Sequence, residues 1–266
     1  MDKTNKKTAI VIGGSSGIGC ETCLRLYNRG WHVVNISRTP CKNSNIVNIA
    51  ADVAAGNSVA DAIKSVCEKR RIHALVYSAG FSMAAPIEHA KESDYRYLFD
   101  VNFFGALQSM QAVIPYMKEK GGSIILVGSL GGDLPICFDS FYSASKAALE
   151  MLCRSAYSEL KPYGIKVTGL LPGGTATNFT FKRKVYSDDD NKAYSHSVNR
   201  AVAALADMEQ SGMKPADVAE IIYGLLLSDR PPVIRTCGKK NNVYRYMSRV
   251  LPEKMTLKIN DRMYHQ

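Results

Sequence analysis

Tyr142 and Lys146 stand four residues apart, with only small residues between them. On a helix, that spacing places both side chains on one face. A phenol with a pKa of about 10 exchanges its proton poorly at neutral pH, and a neighbouring ammonium lowers that pKa by favouring the phenolate. The pair therefore predicts a tyrosine that acts as an acid or base, made more acidic by the lysine. An isolated pair of this type is also typical of an ordinary amphipathic helix.

A glycine-rich turn near the N-terminus could bind phosphate. Residues 8–13 form a continuous apolar run closed by glycine, which predicts a short buried strand, and a helical pattern follows to about Arg29. Of the three spaced glycines, the first permits a tight turn, the second admits a pyrophosphate, and the third allows helix and strand to pack closely. The helix N-terminus adds amide donors and a positive dipole end. The predicted turn comprises Gly13, Ser15, Ser16, Gly17, Ile18 and Gly19. Glycine turns also occur for structural reasons alone.

Further landmarks stand between the two motifs and beyond them, at regular places relative to the predicted strands. They are Asp52 and Val53, Ser78-Ala79-Gly80, Asn102, Ser129, Pro172 and Gly173, and Thr175 with Thr177. With the turn and the Tyr-Lys pair, they resemble the short-chain dehydrogenase/reductase family, whose usual motifs are T-G-x-x-x-G-x-G, N-A-G and Y-x-x-x-K. The resemblance runs from about residue 8 to about 237. Ile12 and Ser78 replace the usual threonine and asparagine, which puts local hydrogen bonding around the cofactor in doubt.

The resemblance implies hydride transfer between a nicotinamide and a carbonyl or secondary alcohol. Tyr142 would exchange the proton, Ser129 would hydrogen-bond the reacting oxygen, and Lys146 would also hold the nicotinamide ribose. Asn102 would anchor a water leading toward the lysine. A turn serine and a helix-kink asparagine are the structural alternatives for Ser129 and Asn102. The implied cofactor contacts are the glycine turn, Ser37, Arg38, Asp52, Val53, Ser78, Ala79, Gly80, Tyr142, Lys146, Pro172, Gly173, Thr175 and Thr177.

The composition suits one large α/β domain, because the chain has 266 residues of which 46% are hydrophobic. We predict a single-domain Rossmann-type doubly wound parallel sheet of about seven strands with helices on both faces. The strands are predicted near 8–13, 32–37, 46–50, 73–77, 122–128, 164–170 and 232–236. The longest helices are predicted near 91–118 and 139–161. No internal repeat, signal-peptide segment or membrane-length apolar run is found, so a cytoplasmic protein is the expectation.

The end of the second strand predicts which nicotinamide cofactor is used. NAD-binding proteins usually place an acid there to bind the ribose 2′-hydroxyl. Here the strand ends in Ser37 and Arg38, with no acid. The guanidinium of Arg38 can form charge-assisted hydrogen bonds to a phosphate, and Ser37 can add a hydroxyl. NADP(H) is therefore predicted over NAD(H), with a solvated loop arginine as the alternative.

The remaining reactive side chains are not expected to bind metal. Seven cysteines are scattered through predicted core segments, so a disulfide framework is not expected. Cys20 and Cys23 form a C-x-x-C within the first helix, where packing is the preferred interpretation over redox or metal chemistry. The run from Asp188 to Asp190 is interpreted as a solvated loop rather than a cation site.

Two segments bear on the substrate. Residues 178–212 predict a substrate lid that contains an amphipathic helix, with ordinary surface variation as the alternative. Residues 239–266 form a basic, amphipathic tail after the predicted domain 1–238, and residues 230–266 hold nine Lys and Arg against two Asp and Glu. Packing against its own domain or a partner subunit is the first interpretation of the tail, and peripheral contact with an anionic membrane is the second. No nucleic-acid-binding motif accompanies the charge.

The C-terminal segment resembles the branch of the family that contains hydroxysteroid and retinol dehydrogenases. We therefore expect an NADP(H)-dependent oxidoreductase for a hydrophobic secondary alcohol or ketone, with a hydroxysteroid as the best single guess. A general carbonyl or 3-oxoacyl reductase of the same mechanism is the alternative, and a non-catalytic nucleotide-sensing scaffold is a third reading. The family resemblance also implies a homodimer or homotetramer.

Overall fold

A seven-stranded parallel sheet forms the centre of the molecule. The computed structural model describes residues 6–186 and 193–265. The sheet has the order β3-β2-β1-β4-β6-β7-β9. Its strands are β1 (Thr8–Ile12), β2 (His32–Ser37), β3 (Val47–Ala50), β4 (Ala74–Tyr77), β6 (Gly122–Val127), β7 (Ile165–Leu171) and β9 (Ile234–Thr236). The predicted fold class and all seven predicted strands are confirmed, with ends that agree within two residues.

Helices cover both faces of this sheet. They are α1 (Gly17–Asn28), α2 (Ser58–Cys67), α3 (Glu92–Phe99), α4 (Gly105–Met117), α5 (Ser140–Leu160), α6 (Ser195–Gln210), α7 (Pro215–Leu227), α8 (Lys239–Val250) and α9 (Glu253–His265). One core contains buried side chains of α2, α4 and α5, and the other contains those of α1 and α7. A small separate sheet pairs β5 (Met83–Ala84) with β8 (Lys184–Val185).

Alternation along β1 shows why the sheet requires two cores. Ile10 and Ile12 pack into the core of α2, α4 and α5, whereas Ala9 and Val11 pack into the core of α1 and α7. Successive side chains of a strand point to opposite faces. A continuous apolar run is therefore the pattern expected of a strand that helices cover on both sides.

The strand order reverses between β1 and β4, and the chain turns into the glycine-rich segment at the carboxyl end of β1. In open α/β sheets, ligands bind in the crevice outside the carboxyl ends of the strands at such a reversal. The fold therefore predicts a ligand-binding site at the loops after β1, β4, β6 and β7, which carry most of the predicted site residues.

The long helix predicted near residues 91–118 is interrupted. A single π-helical segment, Asp100–Phe104, connects α3 to α4 and contains Asn102. Such segments often occur at functional sites, because the extra residue shifts side chains relative to the helix around them. The periodicity of the apolar residues did not predict it.

The described part of the predicted lid, residues 178–186 and 193–212, is made of separate elements. It contains a 3₁₀ turn (Thr180–Lys182), strand β8 and helix α6. The acidic run from Asp188 to Asp190 lies outside the described residues, so the prediction of a solvated loop there is not tested. No helix in the described part of the chain is both long and apolar enough to cross a membrane.

Candidate active site

One large cleft opens at the carboxyl ends of β1, β4, β6 and β7 and encloses about 1240 Å³. A site for one drug-sized ligand usually has about 300–1,000 Å³, so this cleft has room for two ligands side by side. Its lining includes all the predicted site residues except Gly19 and Asn102. These lining residues are Gly13, Ser15, Ser16, Gly17, Ile18, Ser37, Arg38, Asp52, Val53, Ser78, Ala79, Gly80, Ser129, Tyr142, Lys146, Pro172, Gly173, Thr175 and Thr177.

The glycine turn has the shape of a phosphate cradle. Gly13 has a φ of +81°, and a Cβ there would lie 2.7 Å from the backbone nitrogen of Ala79. Gly17 has a φ of +54° and faces the side chain of Thr177. A Cβ on Gly19 would overlap the carbonyl oxygen of Gly13, so Gly19 acts in packing although it does not line the cleft. With the N-terminus of α1 opening onto the cleft, these residues fit a dinucleotide.

Helix α5 brings Tyr142 and Lys146 to the cleft wall. Both residues are buried, and the Nζ atom of Lys146 lies 5.7 Å from the centroid of the Tyr142 ring. Lys146 Nζ donates a hydrogen bond of 3.0 Å to the carbonyl oxygen of Val127, the last residue of β6. Ser129 follows two residues later, and its hydroxyl accepts a 3.0 Å hydrogen bond from the amide of Gly131. The predicted triad of Ser129, Tyr142 and Lys146 is therefore brought together.

The pKa of Tyr142 differs from the sequence-based expectation. Burial raises its pKa above the ordinary value, and a hydrogen bond with Ser129 works against that rise. Burial also lowers the pKa of Lys146 to about 8. The expectation that the ammonium makes the phenol more acidic was wrong: burial dominates the pKa of Tyr142, and the charges that act on it are those of Asp139, Glu209 and Arg183. A phenol of raised pKa is protonated at neutral pH, which is the form required of a proton donor.

Asn102 lies behind the cleft wall and is fully buried. Its side-chain oxygen accepts a hydrogen bond from the amide of Phe81, and its nitrogen donates to the carbonyl of Phe81, both at 3.0 Å. The same nitrogen donates to the hydroxyl of Ser145 on α5. The π-helical segment thus places an amide that ties the loop after β4 to the helix of Tyr142 and Lys146. Gly80 separates Asn102 from Lys146, since a Cβ there would lie 3.1 Å and 3.4 Å from their polar ends.

At the end of β2, Arg38 is exposed and Ser37 is turned inward. Arg38 donates one hydrogen bond of 3.3 Å to the hydroxyl of Tyr97, and both residues line the cleft. The hydroxyl of Ser37 donates to the carbonyl oxygen of Thr39 at 2.6 Å and also lies 3.0 Å from the side-chain oxygen of Asn35. Arg38 is thus available to a ligand, whereas the Ser37 proton already has acceptors in the protein.

The C-x-x-C of the first helix is part of the core, as the packing interpretation expected. Cys20 and Cys23 are buried with Cys41, and the sulfur atoms of Cys20 and Cys41 are 3.7 Å apart. Within residues 6–186 and 193–265, no group of His, Cys, Asp and Glu side chains could hold a metal ion.

The predicted tail packs against the rest of the chain and helps to form the cleft. Tyr244, Met247 and Leu251 on α8 and in the turn after it line the cleft. Arg245 forms ion pairs with Asp133, which follows Ser129, and with Glu150 on α5, the latter at 2.8 Å.

Sequence reasoning missed a set of charged residues in the same cleft. Asp139, Arg183 and Glu209 line it from the start of α5, the residue before β8, and α6. They lie far apart in the sequence and match no motif, so only the proximity of Asp139 to Tyr142, three residues away, could have drawn attention to one of them.

Comparisons with known proteins agree with this geometry. Residues 7–185 match the family described as short chain dehydrogenase. A 3-ketodihydrosphingosine reductase from Bacteroides thetaiotaomicron is 32% identical over 227 residues, which cover 84% of each chain. The human 17-beta-hydroxysteroid dehydrogenase type 1 is 28% identical over 251 residues, covering 85% of this chain and 76% of that protein. A crystal structure of a short-chain dehydrogenase from Streptomyces avermitilis has a TM-score of 0.81 at 27% identity, with 97% and 96% of the chains covered.

A parallel sheet with a nucleotide cradle and a Tyr-Lys pair in one cleft defines a nicotinamide-dependent class of oxidoreductase. With the match over residues 7–185, the chain belongs to the short-chain dehydrogenase/reductase family.

Proposed function

We propose that the protein is an NADP(H)-dependent oxidoreductase that interconverts a hydrophobic secondary alcohol and its ketone. The observation that carries the proposal is the meeting of Ser129, Tyr142 and Lys146 in the cleft that also contains the glycine turn. A bound nicotinamide supplies the hydride. The protein then has to orient the ketone, stabilise negative charge on its oxygen and provide a proton.

In the reducing direction, Tyr142 donates its proton to the ketone oxygen as negative charge develops there. Its raised pKa keeps the phenol protonated until that moment. The hydroxyl of Ser129 donates a hydrogen bond to the same oxygen. Lys146 lies beside the ring, where its ammonium stabilises the phenolate that the transfer leaves behind and can also donate to the nicotinamide ribose.

Asn102 acts in this proposal as a positioning residue. Its hydrogen bonds hold Phe81 and Ser145, which flank the site on the loop after β4 and on α5. The water that the family resemblance assigns to Asn102 would have to bind a backbone group of Asn102, because its side-chain amide is hydrogen-bonded to Phe81 and Ser145.

Preference for NADP(H) is supported by Arg38 and by the lack of an acid at the end of β2. Arg38 is exposed on the cleft wall, with one weak hydrogen bond to Tyr97. Its guanidinium can therefore turn toward a 2′-phosphate and lose only this one hydrogen bond.

The substrate half of the cleft supports a hydrophobic ketone. Its lining there is largely apolar and comes from the loop after β6, the lid, α6 and the C-terminal helices. The apolar residues are Leu134, Ile136, Phe179, Leu205, Met208, Tyr244, Met247 and Leu251. The names of two relatives, a 3-ketodihydrosphingosine reductase and a hydroxysteroid dehydrogenase, support a lipophilic ketone for this chain as well.

A substrate panel tests the proposal. Purified protein is given NADPH or NADH with keto steroids, retinal, 3-ketodihydrosphingosine, 3-oxoacyl thioesters and small ketones, and cofactor oxidation is followed by absorbance. We expect turnover with NADPH on a steroid or long-chain ketone. Turnover confined to acyl thioesters would assign the chain to the alternative 3-oxoacyl reductases, and binding of NADPH without any turnover would favour a nucleotide-sensing scaffold.

A further inference from the structure

A buried cluster of charged side chains occupies the substrate side of the cleft. The side chains of Asp139 and Arg183 are each 1% exposed, and that of Glu209 is 16% exposed. Arg183 Nη2 donates to Glu209 Oε1 at 2.6 Å, and Arg183 Nε donates to the hydroxyl of Ser82 at 2.7 Å. That hydroxyl in turn donates to Asp139 Oδ2 at 2.6 Å. The proposed chemistry of Tyr142 uses none of these groups.

The cluster lies within electrostatic reach of the proton donor. Asp139 precedes Tyr142 by three residues at the start of α5, so the two side chains share a face of the helix. The charges of Asp139 and Glu209 raise the pKa of Tyr142, and the charge of Arg183 lowers it. A ketone held at Tyr142 would therefore place its neighbouring carbons beside the cluster.

One arm of the Arg183 guanidinium has no partner. Its Nη1 atom is buried and makes no hydrogen bond to any residue that the structure describes, although Nε and Nη2 are both engaged. A guanidinium nitrogen of this kind carries two N–H donors, and leaving buried donors unpaired costs free energy. Because Arg183 lines the cleft, a bound ligand is the natural source of the missing acceptor.

The charge balance decides which acceptor suits this position. Arg183 contributes one positive charge, whereas Asp139 and Glu209 contribute two carboxylates, so a further anion would be repelled. An uncharged oxygen avoids that repulsion. A hydroxyl in particular can accept from Arg183 and donate to a neighbouring carboxylate.

We propose that Arg183 Nη1 binds an uncharged oxygen of the substrate, a hydroxyl or second carbonyl carried close to the reducible ketone. This inference rests on the proposed function and narrows it. The substrate has a hydrophobic body, but it carries a polar group next to the reacting carbon on the side of the lid. A plain hydrocarbon ketone leaves the guanidinium arm unpaired and reacts poorly.

The test compares three ketones of one chain length with NADPH as cofactor: a long-chain β-hydroxy ketone, the same ketone without the hydroxyl, and the corresponding β-keto carboxylate. For the parent protein, we expect kcat/KM to be at least about 100-fold higher for the hydroxy ketone than for the plain ketone, since a site built to hydrogen-bond an oxygen rejects a substrate that lacks it. The carboxylate should also be poorer than the hydroxy ketone.

Arg183→Met should reduce this preference to within about threefold, because only the hydroxy ketone loses a contact. Removal of the Arg183 charge also acts on Tyr142, but it acts on both neutral ketones alike and cancels in the ratio of their kcat/KM values. The double variant Arg183→Met with Glu209→Gln removes both members of the ion pair and covers the case in which the single variant is unstable. Lys182→Met is the matched control, since Lys182 is an adjacent exposed cation that also lines the cleft. It should retain the parent preference.

The outcomes separate the two proposals. Turnover of both neutral ketones without a preference in the parent, a preference for the carboxylate, or a preference that survives loss of Arg183 would each overturn the subsite alone. Absence of turnover on every ketone would overturn the proposed function, and the subsite with it.

Discussion

Burial dominates the electrostatics of Lys146 and Tyr142. Lys146 is 4% exposed and its pKa is lowered to about 8, with desolvation as the cause. Tyr142 is 8% exposed, and burial moves its pKa in the opposite sense, upward. Both shifts favour the neutral forms, so the pair consists of a protonated phenol beside a lysine with a pKa of about 8.

A pH profile follows from the lowered pKa of Lys146. Below a pH of about 8 the lysine carries its charge and can stabilise the phenolate. Above that pH the amine is neutral, so kcat/KM for NADPH, which reports groups of the free protein, should fall as pH rises through about 8. Lys146→Arg keeps the charge at all accessible pH values, so its activity, although lower, should lack this alkaline fall. An identical profile in both proteins would show that another group is responsible.

Arg38 gives the test of cofactor choice. Loss of a charge-assisted hydrogen bond costs about 1.5–3 kcal/mol, which corresponds to about 10-fold to 150-fold in affinity. Arg38→Ala should therefore weaken NADPH binding by at least about 10-fold and leave NADH binding almost unchanged, as measured by titration of cofactor fluorescence. Tyr97→Phe, which removes only the present partner of Arg38, serves as the control and should preserve the preference. Equal loss for both cofactors would contradict the phosphate contact.

At the residue scale, motifs located the cleft because they were complete and in order along the sequence. They could not predict the state of individual side chains. The inward turn of the Ser37 hydroxyl depends on Asn35 and Thr39, and the environment of Asn102 depends on Phe81 and Ser145. The pKa values depend on burial, which a spacing of four residues does not reveal.

At the scale of helices and strands, the packing of α1 on β1 decides whether the cradle forms. Gly19 lies against the carbonyl of Gly13, and a methyl group there would overlap a backbone atom that cannot move aside. Gly224 on α7 has no atom within 4 Å of a Cβ built at its position. Gly19 and Gly224 are both helical glycines, so the same substitution can be compared at a crowded position and at an open one.

Gly19→Ala should destabilise the protein by about 1–3 kcal/mol through overpacking and weaken NADPH binding by about 10-fold. Gly224→Ala should leave binding unchanged and increase stability by about 0.5–1 kcal/mol, since alanine is the better helix former. Thermal unfolding with and without NADPH measures both effects. A Gly19→Ala protein with the parent melting temperature and affinity would show that the close approach of α1 is not required.

The strands were predicted within two residues because each is a short apolar run buried on both faces. Neither the π-helical segment Asp100–Phe104 nor the small sheet of β5 and β8 was predicted. The π-helical segment keeps the composition of an ordinary helix, and β5 and β8 are only two residues each and are separated by about a hundred residues in sequence. Such features arise from tertiary contacts, which local periodicity does not encode.

At the scale of the whole molecule, Arg245 connects helix α8 to helix α5, which carries Tyr142 and Lys146. Its guanidinium bridges Asp133 and Glu150, which lie on either side of Tyr142 in sequence, while other residues of α8 line the cleft. The first interpretation of the basic residues 239–266 was packing against their own domain or a partner subunit, and the geometry makes α8 part of the cleft wall. Charge alone could not distinguish these arrangements, because the partners of Arg245 lie about a hundred residues away.

Arg245→Met should loosen α8 from the cleft, because it removes the guanidinium that hydrogen-bonds both Asp133 and Glu150. Only the longer ion pairs of Arg249, at 3.5 Å and 3.7 Å, would then connect α8 to these two carboxylates. We expect KM for the ketone to rise by about 10-fold, NADPH affinity to change by less than about threefold, and amide hydrogen exchange in α8 to increase. Lys254→Met, at an exposed cation of α9, is the control. Unchanged exchange and KM in Arg245→Met would indicate that other contacts hold α8.

The most direct test of the account compares Tyr142→Phe with the parent protein. The variant loses one hydroxyl, and we expect it to bind NADPH within about threefold of the parent. Its kcat on the best ketone of the panel should fall by about 100-fold to 10,000-fold, the usual worth of a positioned proton donor. Undiminished turnover with normal cofactor binding would contradict the assignment of Tyr142 as the group that delivers the proton.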